Sequence, residues 1–104
     1  METSRLETLK AMLESEPNDP MLHYMLANEY FKMGSYPEVV EHLKTYLQLR
    51  EDEGAAYRIL GHALLKLGRI QEARRAFQEG IRAALKHHHP TMAEEFEEVL
   101  KELS

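Results

Sequence analysis

The chain has no cysteine and no tryptophan. Without cysteine there is no disulfide scaffold and no thiolate metal site, and a cytosolic setting is expected. None of its 104 residues belongs to an apolar run near the roughly 20 residues of a membrane span. Behind Met1-Glu2-Thr3-Ser4-Arg5 there is no apolar stretch of signal-peptide length, so a soluble, unprocessed protein is expected. A cysteine nucleophile, a phosphate-cradling glycine loop and a Ser–His–Asp set in a recognisable local context are all missing. No catalytic residue is therefore assigned, and no enzyme is expected.

What is present suffices for one small helical array. Hydrophobic residues make up 43% and charged residues 30%, enough for a core and for solubility. The net charge of −5 is uneven: −6 over residues 1–53, +5 over 54–90 and −4 over 91–104. A basic middle between acidic ends suits an acidic partner or self-association, although ordinary surface variation gives the same pattern.

The strongest signal is an internal repeat. Gly34 and Gly68 lie 34 residues apart, and their surroundings match at that offset. Leu26 pairs with Leu60, Ala27 with Gly61, Tyr30 with Leu64, Val39 with Ala73, Leu43 with Phe77 and Leu47 with Ile81. Leu6, Leu9 and Leu13 fall in register with Val40, Leu43 and Leu47. Apolar spacing predicts helices over about 4–15, 20–33, 36–49, 55–67 and 70–86, with a last one restarting at Thr91. Capping boxes are expected at Ser4 with Glu7, Ser35 with Glu38 and Thr91 with Glu94, and Asp19 is expected to cap the helix after Pro17. Arg50-Glu51-Asp52-Glu53-Gly54 reads as a polar connection. Met92, Phe96, Val99, Leu100 and Leu103 form one stripe on an acidic final helix, a lid rather than a third repeat.

Residues 4–87 resemble the tetratricopeptide repeat family, whose unit is a helix–turn–helix of about 34 residues. Tyr57, Leu60-Gly61, Ala73, Phe77 and Gly80 stand at family positions in the second copy. His23, Leu26, Ala27, Tyr30, Val39, Leu43 and Tyr46 stand at them in the first. Leu85 and Glu51 replace the family's closing proline, which only Pro17 keeps. The resemblance implies an all-α fold, a right-handed α-α superhelix of about six helices. It comprises a half repeat (4–19), two full repeats (20–53 and 54–87) and a C-terminal capping helix (91–104), in one domain. It also implies a concave groove lined by the first helices. Tyr24, Asn28, Phe31 and Lys32, then Arg58, His62, Leu65 and Lys66, are its expected lining, because spacings of three and four keep each set on one helical face. The function implied is non-catalytic binding of a peptide or helix of a partner protein, with homo-oligomerisation as the alternative.

Three other readings fit the residues less well. Asn28 matches one asparagine of the family's carboxylate clamp, but Tyr24 and Ile59 replace a lysine and an asparagine, so chaperone-tail clamping is not expected. His87, His88 and His89 are consecutive and cannot converge on one ion. His23, His42 and His62 fall on different elements, so no metal site and no cofactor are expected. Arg69, Arg74, Arg75, Arg82 and Lys86 make nucleic acid the rival partner, which the negative net charge and the lack of a free stacking aromatic disfavour.

Overall fold

Ser4 starts the first helix because its hydroxyl accepts a hydrogen bond from the Glu7 N–H at 3.1 Å, satisfying one of the donors a helix start leaves open. The computed structural model describes residues 4–103, and all the regular structure in them is helical. The helices are α1 (Arg5–Ser15), α2 (Pro20–Met33), α3 (Tyr36–Leu49), α4 (Ala55–Lys66), α5 (Ile70–Lys86) and α6 (Pro90–Glu102). The chain divides between Glu51 and Asp52 into two compact units. In the first, α2 packs against α1 and α3; in the second, α5 packs against α4 and α6.

Matched turns fold the hairpins. Gly34 (φ 75°) and Gly68 (φ 74°) adopt the left-handed conformation, which glycine enters without a Cβ clash. The next N–H then reaches back to the helix: Ser35 N–H donates to the Tyr30 carbonyl and Arg69 N–H to the Leu64 carbonyl, each at 2.9 Å. This is the Schellman closure. The turn from α5 to α6 has the same pattern but places His88 at φ 64°. His89 N–H there donates to the Ala84 carbonyl at 2.7 Å.

That closure explains two departures from the expected caps. Ser35 ends one hairpin turn and starts α3 at once, and its ψ is 69°, against 156° at Ser4. Its hydroxyl makes no capping bond. Thr91 is not a cap either, because α6 begins one residue earlier at Pro90, with His89 preceding it. Conversely, Asp52 does more than connect. Its Oδ2 accepts from Gly54 N–H (2.8 Å) and Ala56 N–H (2.9 Å), capping α4 from two residues upstream of Gly54. Asp19 caps α2 as expected, accepting from Met21 N–H at 2.9 Å.

The residues paired at the repeat offset form the two cores. Leu26, Ala27, Val39 and Leu43 are fully enclosed in the first unit, and Ala73 and Phe77 in the second, with Leu60 and Leu64 nearly so. Gly61 leaves no room for a side chain: a Cβ there would lie 2.5 Å from the Phe77 ring. Phe96 of α6 is equally enclosed, and its ring centre lies 5.7 Å from that of Phe77. Burying such a ring contributes roughly 1.5–3 kcal/mol.

Two substitutions separate helix propensity from packing. Gly61→Ala improves propensity yet should destabilise by about 1–3 kcal/mol, because the enclosed Phe77 ring has nowhere to go. His88→Gly should stabilise by up to about 1 kcal/mol, because it removes the left-handed penalty. Urea denaturation of the full chain measures both; opposite signs would refute this packing.

Candidate partner-binding faces

On α2, the four expected residues fall on one side but are not equally free. The Tyr24 ring sits 5.1 Å from Tyr46 of α3, and Phe31 lies edge-on to Tyr36 at 5.5 Å. Both are half-buried. Asn28 Nδ2 donates to the Tyr24 carbonyl at 3.0 Å. Lys32 is exposed and approaches Glu29 at 3.6 Å, while Glu29 also accepts from Arg5 Nε at 2.7 Å.

On α4, Arg58 differs from the expectation of an open cation. Its guanidinium makes a bidentate pair with Glu95 of α6, at 2.6 and 2.8 Å, and lies 5.7 Å from the centre of the Phe96 ring. The fork of two N–H groups matches a carboxylate, so this is a strong form of surface ion pair. The Arg58 hydrogen bonds hold the Glu95 carboxyl below its ordinary value, against the opposing effect of burial. His62 turns its ring edge-on to Phe77 at 5.3 Å. Burial pushes the His62 imidazole below its ordinary 6.5, while Glu95 pulls it back up. Leu65 is half-buried and Lys66 exposed.

The four α2 positions and the four α4 positions are the same positions one repeat apart, and their exposure matches pair by pair. Tyr24 and Arg58, Asn28 and His62, and Phe31 and Leu65 are half-buried; Lys32 and Lys66 are exposed. Each face thus offers partly covered apolar and polar surface ending in a lysine.

Sequence reasoning missed two partnerships. Glu95 closes on Arg58 from 37 positions away, and no local pattern announces it. His23 and His42 were assigned to separate elements, which they are, but α2 and α3 bring their Nδ1 atoms to 3.0 Å. The available signal was that His23 occupies a family position that holds an aromatic. Among the described residues no group of three or more His, Asp or Glu side chains could hold a metal ion. No helix among them is long and apolar enough to cross a membrane.

Antiparallel helix pairs, closed by like turns and recurring every 34 residues, define a helical-repeat protein. Residues 5–80 match the family described as anaphase-promoting complex, cyclosome, subunit 3, and the chain belongs to this tetratricopeptide-type family. The small glutamine-rich tetratricopeptide repeat-containing protein 2 of Mycosarcoma maydis is 32% identical over 76 residues, 73% of this chain and 22% of that protein. The chain thus spans about a fifth of that relative's length. The TPR repeat-containing protein PA0015 of Pseudomonas aeruginosa is 27% identical over 82 residues, 79% of this chain and 78% of that one. The solution structure of protein BPP2914 from Bordetella parapertussis has the same fold, with a TM-score of 0.81. Sequence identity to it is 24%, with 98% of this chain and 89% of that one covered.

The two shifted groups, His62 on α4 and Glu95 on α6, make the second unit acid-sensitive, in separate windows. His62 has a lowered folded value, so its stabilisation is present above 6.5 and is lost as pH falls below it. Glu95 is also lowered, so its contribution is present above the ordinary carboxyl value of 4.5 and is lost only in stronger acid. Glu95→Gln should abolish the second loss and cost less than about 1 kcal/mol at neutral pH, as befits a half-exposed pair. Urea denaturation from pH 7.5 to 3.5 checks this; an unchanged acid limb in the variant would contradict it.

Proposed function

We propose that the chain is a non-catalytic interaction module whose α2 and α4 outer faces each take a segment of a partner protein. The observation that carries this reading is the recurrence, one repeat apart, of the same four positions with the same exposure. Core packing alone explains why the inward positions recur. It does not require Lys32 and Lys66 to end both outer faces. Tyrosine, arginine and large apolar side chains supply anchoring area, and lysine favours acidic character in the segment bound. Because Arg58 already holds Glu95, an acidic side chain gains full access to it only by displacing that carboxylate. The lack of cysteine suits a reducing, cytosolic setting.

A structural role in self-association is the second reading; Met12 is left half-exposed on α1, the half repeat. Sedimentation as a monomer at high concentration excludes it.

The test is to pan a displayed peptide library with the full chain and to measure the selected peptides by fluorescence anisotropy. The double variant Tyr24→Ala, Arg58→Ala should weaken binding at least about tenfold, roughly 1.4 kcal/mol, with far-ultraviolet helicity unchanged. Undiminished binding by the variant would overturn the assignment of these faces.

A further inference from the structure

A different feature lies where α1 meets α2 and α3. His23 is only 7% exposed. Its Nε2 stands 2.8 Å from the carbonyl oxygen of Pro17, in the turn that joins α1 to α2. A carbonyl only accepts, so Nε2 carries the proton and donates. The lone pair of neutral His23 is then on Nδ1, which faces His42 Nδ1 at 3.0 Å. His42 must therefore donate its own Nδ1–H to His23. This network has one consistent arrangement when both rings are neutral. It accepts one further proton, on His42 Nε2, with both hydrogen bonds intact. It does not accept two, because two N–H groups would then point at each other across 3.0 Å.

The surroundings reinforce this limit. The His42 ring lies parallel to Tyr30, with centres 5.7 Å apart and planes at 11°. With Lys10, Leu13 and Glu14 of α1 and Leu26 of α2 it lines an open cavity of about 390 Å³. Burial opposes charge on His42 most strongly, followed by the facing His23 and by Lys10. Glu41 and Glu38 on its own helix favour charge but are outweighed, and Glu14 borders the same cavity.

We propose that His23 and His42 form an acid-sensitive latch that keeps α1 docked. Closed, the pair holds at most one proton. Open, the two N–H groups no longer face each other, and that limit is gone. Opening therefore takes up protons, and each net proton shifts the equilibrium tenfold per pH unit. The bond from His23 to Pro17 is the mechanical link, because it ties the α1–α2 turn to the pair. Its loss frees α1 and uncovers the Leu26 wall of the cavity.

Amide hydrogen exchange on the full chain, corrected for intrinsic rates, tests the latch between pH 7.5 and 5. Opening of α1 amides should rise at least about tenfold, and more than opening of α5 amides. In His42→Gln the side-chain amide can turn either its oxygen or its NH₂ to His23 Nδ1, so closed and open forms bind similar numbers of protons. The rise should then fall below about threefold. A wild-type α1 without the rise, or a variant that keeps it, would overturn the proposal. Nitrogen-15 tautomer assignment at pH 7.5 tests the geometry without any substitution. Protons on His23 Nε2 and His42 Nδ1 support the latch, and the reverse pattern overturns it.

Discussion

The second unit depends on the absence of one methyl group. Because Gly61 has no Cβ, the Phe77 ring lies against the backbone of α4, and a methyl placed there would meet three ring carbons within 2.8 Å. Cores are packed as densely as organic crystals, so such a contact fixes the approach of two helices more firmly than a general preference for burial. In the first unit the two equivalent positions hold Ala27 and Leu43, both fully enclosed. A methyl group gained on the first helix goes with a smaller side chain on the second. The two units thus keep one kind of hairpin with different volumes at its centre.

From that contact the rest of each hairpin follows. If α4 gives α5 its small-residue side, the opposite side of α4 is left to other uses. The turn must then reverse the chain within two or three residues, which calls for a left-handed residue at Gly34 and Gly68. His88 accepts the same geometry at greater cost. Past that turn, α6 covers the exposed side of α5 with Phe96 and meets the basic residues of the unit with its polar groups. Glu95 takes Arg58, and the Leu103 carbonyl accepts from Arg74 Nη2. The arginines that suggested nucleic acid are thereby partly spoken for: Arg69 holds Glu72 and Arg82 holds Glu79.

Much of this was legible in the residues. The 34-residue offset located the helices to within a residue or so, because hydrophobic periodicity and glycine punctuation point to the same boundaries. The inward set was legible for the same reason: Leu26, Leu60 and Phe77 recur at core spacing and are enclosed. The capping box at Ser35 misled because a residue between two helices takes its backbone angles from the turn, and the one at Thr91 because α6 already begins at Pro90. The contacts of the outer residues were not legible. Glu95 and Arg58, like His23 and His42, meet across helix packing, where no local pattern signals the contact. Arg58, one of the eight residues named from the sequence, is already held by the Glu95 carboxylate.

The most direct measurement concerns the ring and the glycine. In solution, the α-protons of Gly61 should show strong nuclear Overhauser effects to the Phe77 ring protons and resonances displaced by its ring current. Ordinary glycine shifts with no such effects would mean that Phe77 does not sit on α4, and the hairpin described here, with the faces it leaves outward, would be wrong.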